Sequence, residues 1–210
     1  MQYLSTRTPD HRVSLSTALQ DGLAPDGGLY VPERFPDLGP EAFAGCTTIE
    51  AVAERLLRPF AVGDPLAEAL PAICEATYGF LVPLRAVGCR THVLELFHGP
   101  TAGKVSDRQE KQLTGWDTNV QTVAVRGVFD DCQQLVKQAF QDPTWREHLR
   151  LSSANSINIG RLLPQMTYYA HASLQHWRAH GTRPNVIVPS GNLGNGLACL
   201  YARECGLPIG

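Results

Sequence analysis

Apolar residues fall at helical spacing in several places along the chain. Ile49, Val52, Ala53, Leu56 and Leu57 form one stripe, with Ala51 beside it and Thr48 placed as its N-cap. Pro59 should end that helix, and a second is predicted over Leu66 to Tyr78 with Pro71 as a kink. Further on, Val120–Val125 is β-rich. Gly127 then leads into Phe129, Cys132, Val136, Ala139 and Phe140, an amphipathic helix with Asp130 and Asp131 in its first turn. A polar segment separates it from a helix through Leu162, Leu163, Met166, Tyr169, Ser173 and Trp177. Pro164 is expected near the start of that helix, where no internal N–H bond is lost. Val186-Ile187-Val188 reads as a short buried strand, followed by a Gly/Asn/Ser turn and a new helix. Strands alternating with helices at this spacing predict an α/β architecture. The first ninety residues or so are different: they read as a cap region, with Gly22–Tyr30 an ordered loop rich in turn formers.

Composition narrows the function classes. A chain of 210 residues with 43% hydrophobic and 18% charged residues suits a globular protein. Its net charge of -2 gives no basic footprint for nucleic acid. No apolar run reaches membrane-spanning length, and Met1–Arg7 has no signal-peptide core. Cys46, Cys74, Cys89, Cys132, Cys199 and Cys205 show no paired CxxC spacing, so reduced thiols in the cytoplasm are expected, with no metal site.

Two polar segments carry candidate chemistry. Ser190-Gly191-Asn192-Leu193-Gly194-Asn195-Gly196 places three glycines where a helix begins. Unpaired N–H groups and the positive end of the helix dipole there make a phosphate cradle. An ordinary connection in which Asn and Ser cap the helix is the competing reading. The P-loop is set aside because Leu197, not Lys, follows Gly196, and the dinucleotide fingerprint because its glycine spacing differs. The second segment runs from Ser152 to Arg161: six of its ten residues have uncharged or cationic hydrogen-bonding side chains and none is acidic, which suits an anionic substrate. A capping loop is again the alternative.

Taken together, several stretches resemble the threonine synthase family, in its longer bacterial and fungal subgroup. They are Tyr3–Arg7, Gly22–Pro32, Leu94–Thr101, Arg108–Leu113, Val125–Cys132, the polar run from Ser152 and the turn at Gly191, all in the family's order. The resemblance implies the tryptophan-synthase-like fold of pyridoxal phosphate enzymes (fold type II), here partial, with an N-terminal cap over 1–92 and a catalytic region over 93–210. It implies conversion of O-phosphohomoserine and water into threonine and phosphate, with pyridoxal 5'-phosphate as electron sink. By the family's pattern Gly191, Asn192, Leu193 and Gly194 hold the cofactor phosphate, while Asn155, Ser156, Asn158 and Arg161 lie near the substrate.

The chain departs from the family where catalysis is concerned. Family members continue from Gly-Pro-Thr into Phe-Lys-Asp-Phe, whose lysine forms the Schiff base with the cofactor. Here Gly99-Pro100-Thr101 runs into Ala102-Gly103-Lys104-Val105-Ser106, which resembles a segment well downstream in the family. An internal deletion is therefore expected, removing the lysine segment and a glycine-rich loop with its strand and helix. Lys104 has the wrong neighbours for that lysine, and Lys111 and Lys137 match no motif, so the catalytic residue is unassigned and no stable Schiff base is expected. Gly206–Gly210 follows soon after the phosphate loop, where the family continues through a long further region. Two expectations stand: a threonine synthase-type chain that is catalytically incompetent, or a non-catalytic phosphate-binding or interaction remnant.

Overall fold

The computed structural model describes residues 1–78, 93–98, 111, 114–115, 120–149, 151–152, 156–189, 191 and 193–210. Packing divides the chain into two units, Met1–Pro83 with Arg150–Gly210, and Leu84–Leu149. These units are defined by contact, and the expected boundary at 92/93 is not one of their limits.

The first unit opens with a small antiparallel sheet. Its strands β1 (Tyr3–Ser5), β2 (Arg12–Val13) and β3 (Tyr30–Pro32) lie in the order β2-β1-β3, with Tyr3 facing both Val13 and Pro32. Alternation puts Tyr3 and Ser5 on the buried face. The Tyr3 hydroxyl donates to the Phe60 carbonyl at 3.0 Å, which satisfies a group that burial would otherwise strand. Gly22–Tyr30 is ordered as expected. Asp26 organises it by accepting from the Ser5 hydroxyl and the Gly28 N–H, both at 2.8 Å. Thr8, Gly28 and Ser5 together hold this carboxyl down at about 2.

Helices α1 (Leu15–Asp21), α2 (Ile49–Leu57) and α3 (Leu66–Tyr78) come next. Thr48 caps α2 by accepting from the Ala51 N–H, and Val52, Ala53, Leu56 and Leu57 are buried, as their spacing predicts. Pro59 ends that helix in a single 3-10 turn, Arg58–Ala61. Pro71 lies inside α3, which nevertheless spans the predicted residues. Asp64 joins two helix starts. Its carboxylate accepts from the Ser16 N–H at 2.8 Å and hydroxyl at 2.6 Å in α1, and from the Leu66 N–H at 3.0 Å in α3. Both helix dipoles favour a negative charge at that point.

In the second unit, β4 (Val93–His98) and β5 (Val120–Val125) pair in parallel, with Val93 opposite Val120 and His98 opposite Val125. Next come α4 (Phe129–Gln141) and α5 (Pro143–His148). Asp131 bonds back to the Val128 N–H at 2.7 Å, closing the start of α4. Among the described side chains of α4, Cys132 is the buried one. Parallel sheets are ordinarily covered on both faces, yet Val123 of β5 is 45% exposed.

The first unit is completed by α6 (Ile159–His180) and α7 (Gly194–Glu204). Ile159, Leu162, Leu163, Met166, Ala170 and Leu174 of α6 lie in the common core, and α2 and α7 both pack on this helix. Its start falls five residues before Pro164, so the expectation that Pro164 occupies a free first-turn position fails. Asn158 is a strong cap that begins the helix earlier. The Pro164 carbonyl accepts from the Tyr78 hydroxyl at 2.8 Å, and Thr167 completes the contact at 3.0 Å. Arg178 donates to the carbonyls of Phe43 and Cys46 at 2.8 and 3.0 Å, tying the far end of α6 to the segment before α2.

One predicted element is not formed. Residues 183–189 contain no strand, and Ile187 is 95% exposed. A strand exists only through a ladder partner; among the described residues this run has none, and Pro184 and Pro189 lack the N–H such a ladder needs.

Asp64 carries a pH-dependent share of stability. Burial pushes its carboxyl up, but the bonds from Ser16 and Leu66 outweigh this and hold it below its ordinary value. Its contribution is therefore complete above the unfolded value near 4 and is lost as pH falls through the lower folded value. Asp64→Asn should cost about 1–3 kcal/mol at neutral pH, read as a melting temperature lower by roughly 3–10 °C. Scans at pH 7 and about pH 2 check this: the variant and the parent should converge in acid.

Candidate functional site

The glycine turn is built on the start of α7. Leu193 caps the helix with φ +60°, the left-handed region, and has no side-chain capping bond. Sequence logic assigned the sharp bend to glycine. Instead, among the described residues, Leu193 is the non-glycine residue with positive φ. A left-handed Leu costs on the order of 1–2 kcal/mol. Gly191 and Gly196 have no atom within 4 Å of where a Cβ would stand, so space is open on their side. Leu193 is 69% exposed, Gly194 is buried, and the first turn carries no acidic residue. Asn192 lies outside the described residues. The expected buried strand does not lead into this turn, whereas the helix N-terminus does follow it.

The polar run does two structural jobs. Asn158, 5% exposed, accepts from the Gly160 N–H at 2.8 Å and so caps α6, while its amide donates to the Leu19 carbonyl at 2.9 Å. The Ser152 hydroxyl donates to the same carbonyl at 3.0 Å. A single run thus starts α6 and satisfies a carbonyl in the last turn of α1. Ser156 is half-buried, Arg161 is exposed on the first turn of α6, and Asn155 lies outside the described residues.

Contacts within this unit connect the run to the turn. Asn195, the second residue of α7, donates its amide to Gln165 Oε1 at 2.8 Å and accepts from the Tyr169 hydroxyl. Gln165 in turn donates to the Arg161 carbonyl. Arg161, Gln165 and Tyr169 follow one another at intervals of four along one face of α6. Burial raises the Tyr169 phenol, with the neighbouring Cys199 adding to the effect. Sequence reading passed over Gln165 and Asn195 and placed Tyr169 in an apolar stripe. The available signal was the polar i, i+4 series Arg161, Gln165 and Tyr169 beside the apolar stripe of this helix.

The phosphate end of pyridoxal phosphate fits this arrangement: a helix N-terminus free of acidic side chains, with open space beside Gly191 and Gly196. The amine that would hold its aldehyde has no source in the same unit. All three lysines, Lys104, Lys111 and Lys137, belong to the Leu84–Leu149 unit. Lys111 and Lys137 are exposed, and Lys104 lies outside the described residues. Among the described residues no group of three or more His, Cys, Asp or Glu could hold a metal ion. Cys46, Cys74, Cys132, Cys199 and Cys205 are buried free thiols; burial pushes Cys74 up to about 11 and Cys205 to about 12.

Comparisons with known proteins agree across the chain. Residues 2–78 match the family described as threonine synthase N terminus. Along its whole length the chain is 31% identical to a threonine synthase of Pseudomonas aeruginosa, of which it covers 58%. The crystal structure of threonine synthase from Escherichia coli matches all of the chain with a TM-score of 0.85 at 28% identity, and 62% of that protein is covered. The pyridoxal-phosphate-bound threonine synthase from Brucella melitensis matches with a TM-score of 0.78 at 29% identity, again over the whole chain and 59% of the other. The fold is therefore a partial version of the α/β fold of these enzymes. The chain spans about six-tenths of the length of these relatives. The Pseudomonas alignment runs over 274 positions against 210 residues, so at least 64 positions (274 − 210) inside the matched stretch have no residue here.

Capping and non-capping residues of the polar run separate by mutation. Asn158→Ala should destabilise the protein by about 0.5–2 kcal/mol through the lost cap, whereas Arg161→Ala should stay within about 0.5 kcal/mol of the parent. Urea unfolding followed by circular dichroism measures both.

Proposed function

We propose, for a chain that belongs to the threonine synthase family, that it retains the family's phosphate-binding turn but does not by itself convert O-phosphohomoserine and water into threonine and phosphate. The observation that carries this reading is the shortfall of at least 64 aligned positions within a chain that otherwise matches from end to end. We assign that shortfall to the stretch after Thr101, where the family's lysine segment belongs. Removing it takes away the amine but leaves the turn.

In this reading Gly191, Asn192, Leu193 and Gly194 hold the cofactor phosphate through backbone N–H groups at the start of α7. Arg161 offers a planar, permanently charged fork to the phosphate of the substrate, and Asn155 and Ser156 add hydrogen-bonding partners. Asn158 acts by fixing where α6 begins, which sets the position of Arg161 one turn along. The cofactor, when bound, supplies an electron sink that the twenty side chains lack. Proton movement at the substrate requires a lysine amine at that sink, and none of Lys104, Lys111 and Lys137 stands in the family's lysine motif. The buried free thiols suit a reducing compartment, which supports a cytoplasmic location. Among the described residues no helix is long and apolar enough to cross a membrane.

The test is direct. The protein is incubated with pyridoxal phosphate, reduced with borohydride and digested, and any labelled lysine is located by mass. Less than stoichiometric labelling, with no threonine from O-phosphohomoserine, is expected. Stoichiometric labelling of Lys104 accompanied by threonine would restore that residue as the catalytic lysine and end the proposal.

A further inference from the structure

A left-handed Leu193 does not hold itself. It is exposed, has no side-chain cap, and adopts a conformation that L residues avoid. Such backbone persists where its surroundings over-determine it. Two residues later stands the group that can do so. Asn195 is gripped through both ends of its amide, by Gln165 on one side and Tyr169 on the other, and Gln165 is itself bonded to the Arg161 carbonyl.

From this geometry we infer that Gln165, Tyr169 and Asn195 are positioning residues that set the backbone of the phosphate turn and couple it to the turn of α6 carrying Arg161. The inference rests on the phosphate reading of the Gly191–Gly194 turn. None of the three needs to touch a ligand. Met166 and Ala170 of α6 and Ala198 and Ala202 of α7 are buried in the common core, on which Tyr169 also packs, so apolar burial there does not rest on Gln165 or Asn195. What the polar trio adds is direction. Hydrogen bonds fix the rotation and axial position of the first turn of α7, which apolar contact leaves free to slide. The amides following Leu193 then point one way, and Arg161 stands at a fixed remove from them. Displacing such donors by about 1 Å can cost on the order of a hundredfold in a reaction they serve.

Hydrogen–deuterium exchange on the full chain tests this, read at the peptide covering residues 193–198 without and with pyridoxal phosphate. Asn195→Ala and Gln165→Ala should each speed exchange there by roughly tenfold, the factor for one net hydrogen bond. Exchange in α6 away from residue 165 should be unchanged. Gln165→Glu keeps an acceptor for the Asn195 amide and should stay within about threefold of the parent, a rescue that general loosening of the interface would not give. Affinity for pyridoxal phosphate, measured by equilibrium dialysis, should fall about tenfold in Asn195→Ala and be kept in Gln165→Glu. Unchanged exchange at 193–198 in Gln165→Ala, or equal loss in Gln165→Glu and Gln165→Ala, overturns the inference. If Asn195→Ala does not fold, the two Gln165 variants decide. Parent protein that gains no protection from pyridoxal phosphate counts against the phosphate reading alone, and the exchange rates of the variants still decide the clamp.

Discussion

Burial of one helix organises the unit formed by Met1–Pro83 and Arg150–Gly210. Along α6, Met166, Thr167, Ala170 and Leu174 are almost wholly withdrawn from water, and α2 and α7 close over them. Each large apolar side chain so buried contributes on the order of 1.5–3 kcal/mol, so this contact outweighs any single polar bond nearby. Polar groups on the helix then act as locators. Tyr78 meets Pro164 and Thr167, Arg178 reaches the carbonyls of Phe43 and Cys46, and Gln165 and Tyr169 receive Asn195. Apolar burial supplies the stability, and these bonds decide where along the helix each neighbour stops.

That division of labour explains what could be read from the sequence. Thr48 and its stripe gave α2, because the cap and the apolar period lie within a dozen residues and agree. Val120–Val125 and the helix with Asp130 and Asp131 in its first turn were legible for the same reason. Val186–Val188 misled, since its composition is that of a strand but strand formation depends on a partner far away in sequence. Leu193 was beyond reach: nothing in a Leu codes for positive φ, and the cause lies in what holds the following turn. Asn158 exposes a deeper ambiguity, because the same side chain can cap a helix or bind an anion. Only its neighbours, Gly160 and the Leu19 carbonyl, show that its amide is already engaged.

In the proposed reading, which assigns the shortfall against the relatives to the stretch after Thr101, that shortfall also has a physical consequence at the second unit. A parallel pair such as β4 and β5 normally lies within a larger sheet covered by helices on both sides. Among the described residues this sheet has two strands, and Val123, Val128 and Leu135 around it are exposed to 44–50%. The first unit shows no comparable cost in its core: its cap sheet, α2, α3 and α6 share one continuous cluster. Resemblance can thus persist over a whole chain while its physical consequences fall unevenly.

The uncovered run between Pro184 and Pro189 has a bearing on solubility. Asn185-Val186-Ile187-Val188 joins three β-branched residues, the composition that favours intermolecular β pairing, and Ile187 stands almost fully in water. Stacked cross-β segments generally need about six or seven consecutive residues without proline. Here two prolines leave four. They act as gatekeepers that interrupt the hydrogen-bond ladder at both ends of the run, so this run is too short to propagate self-association.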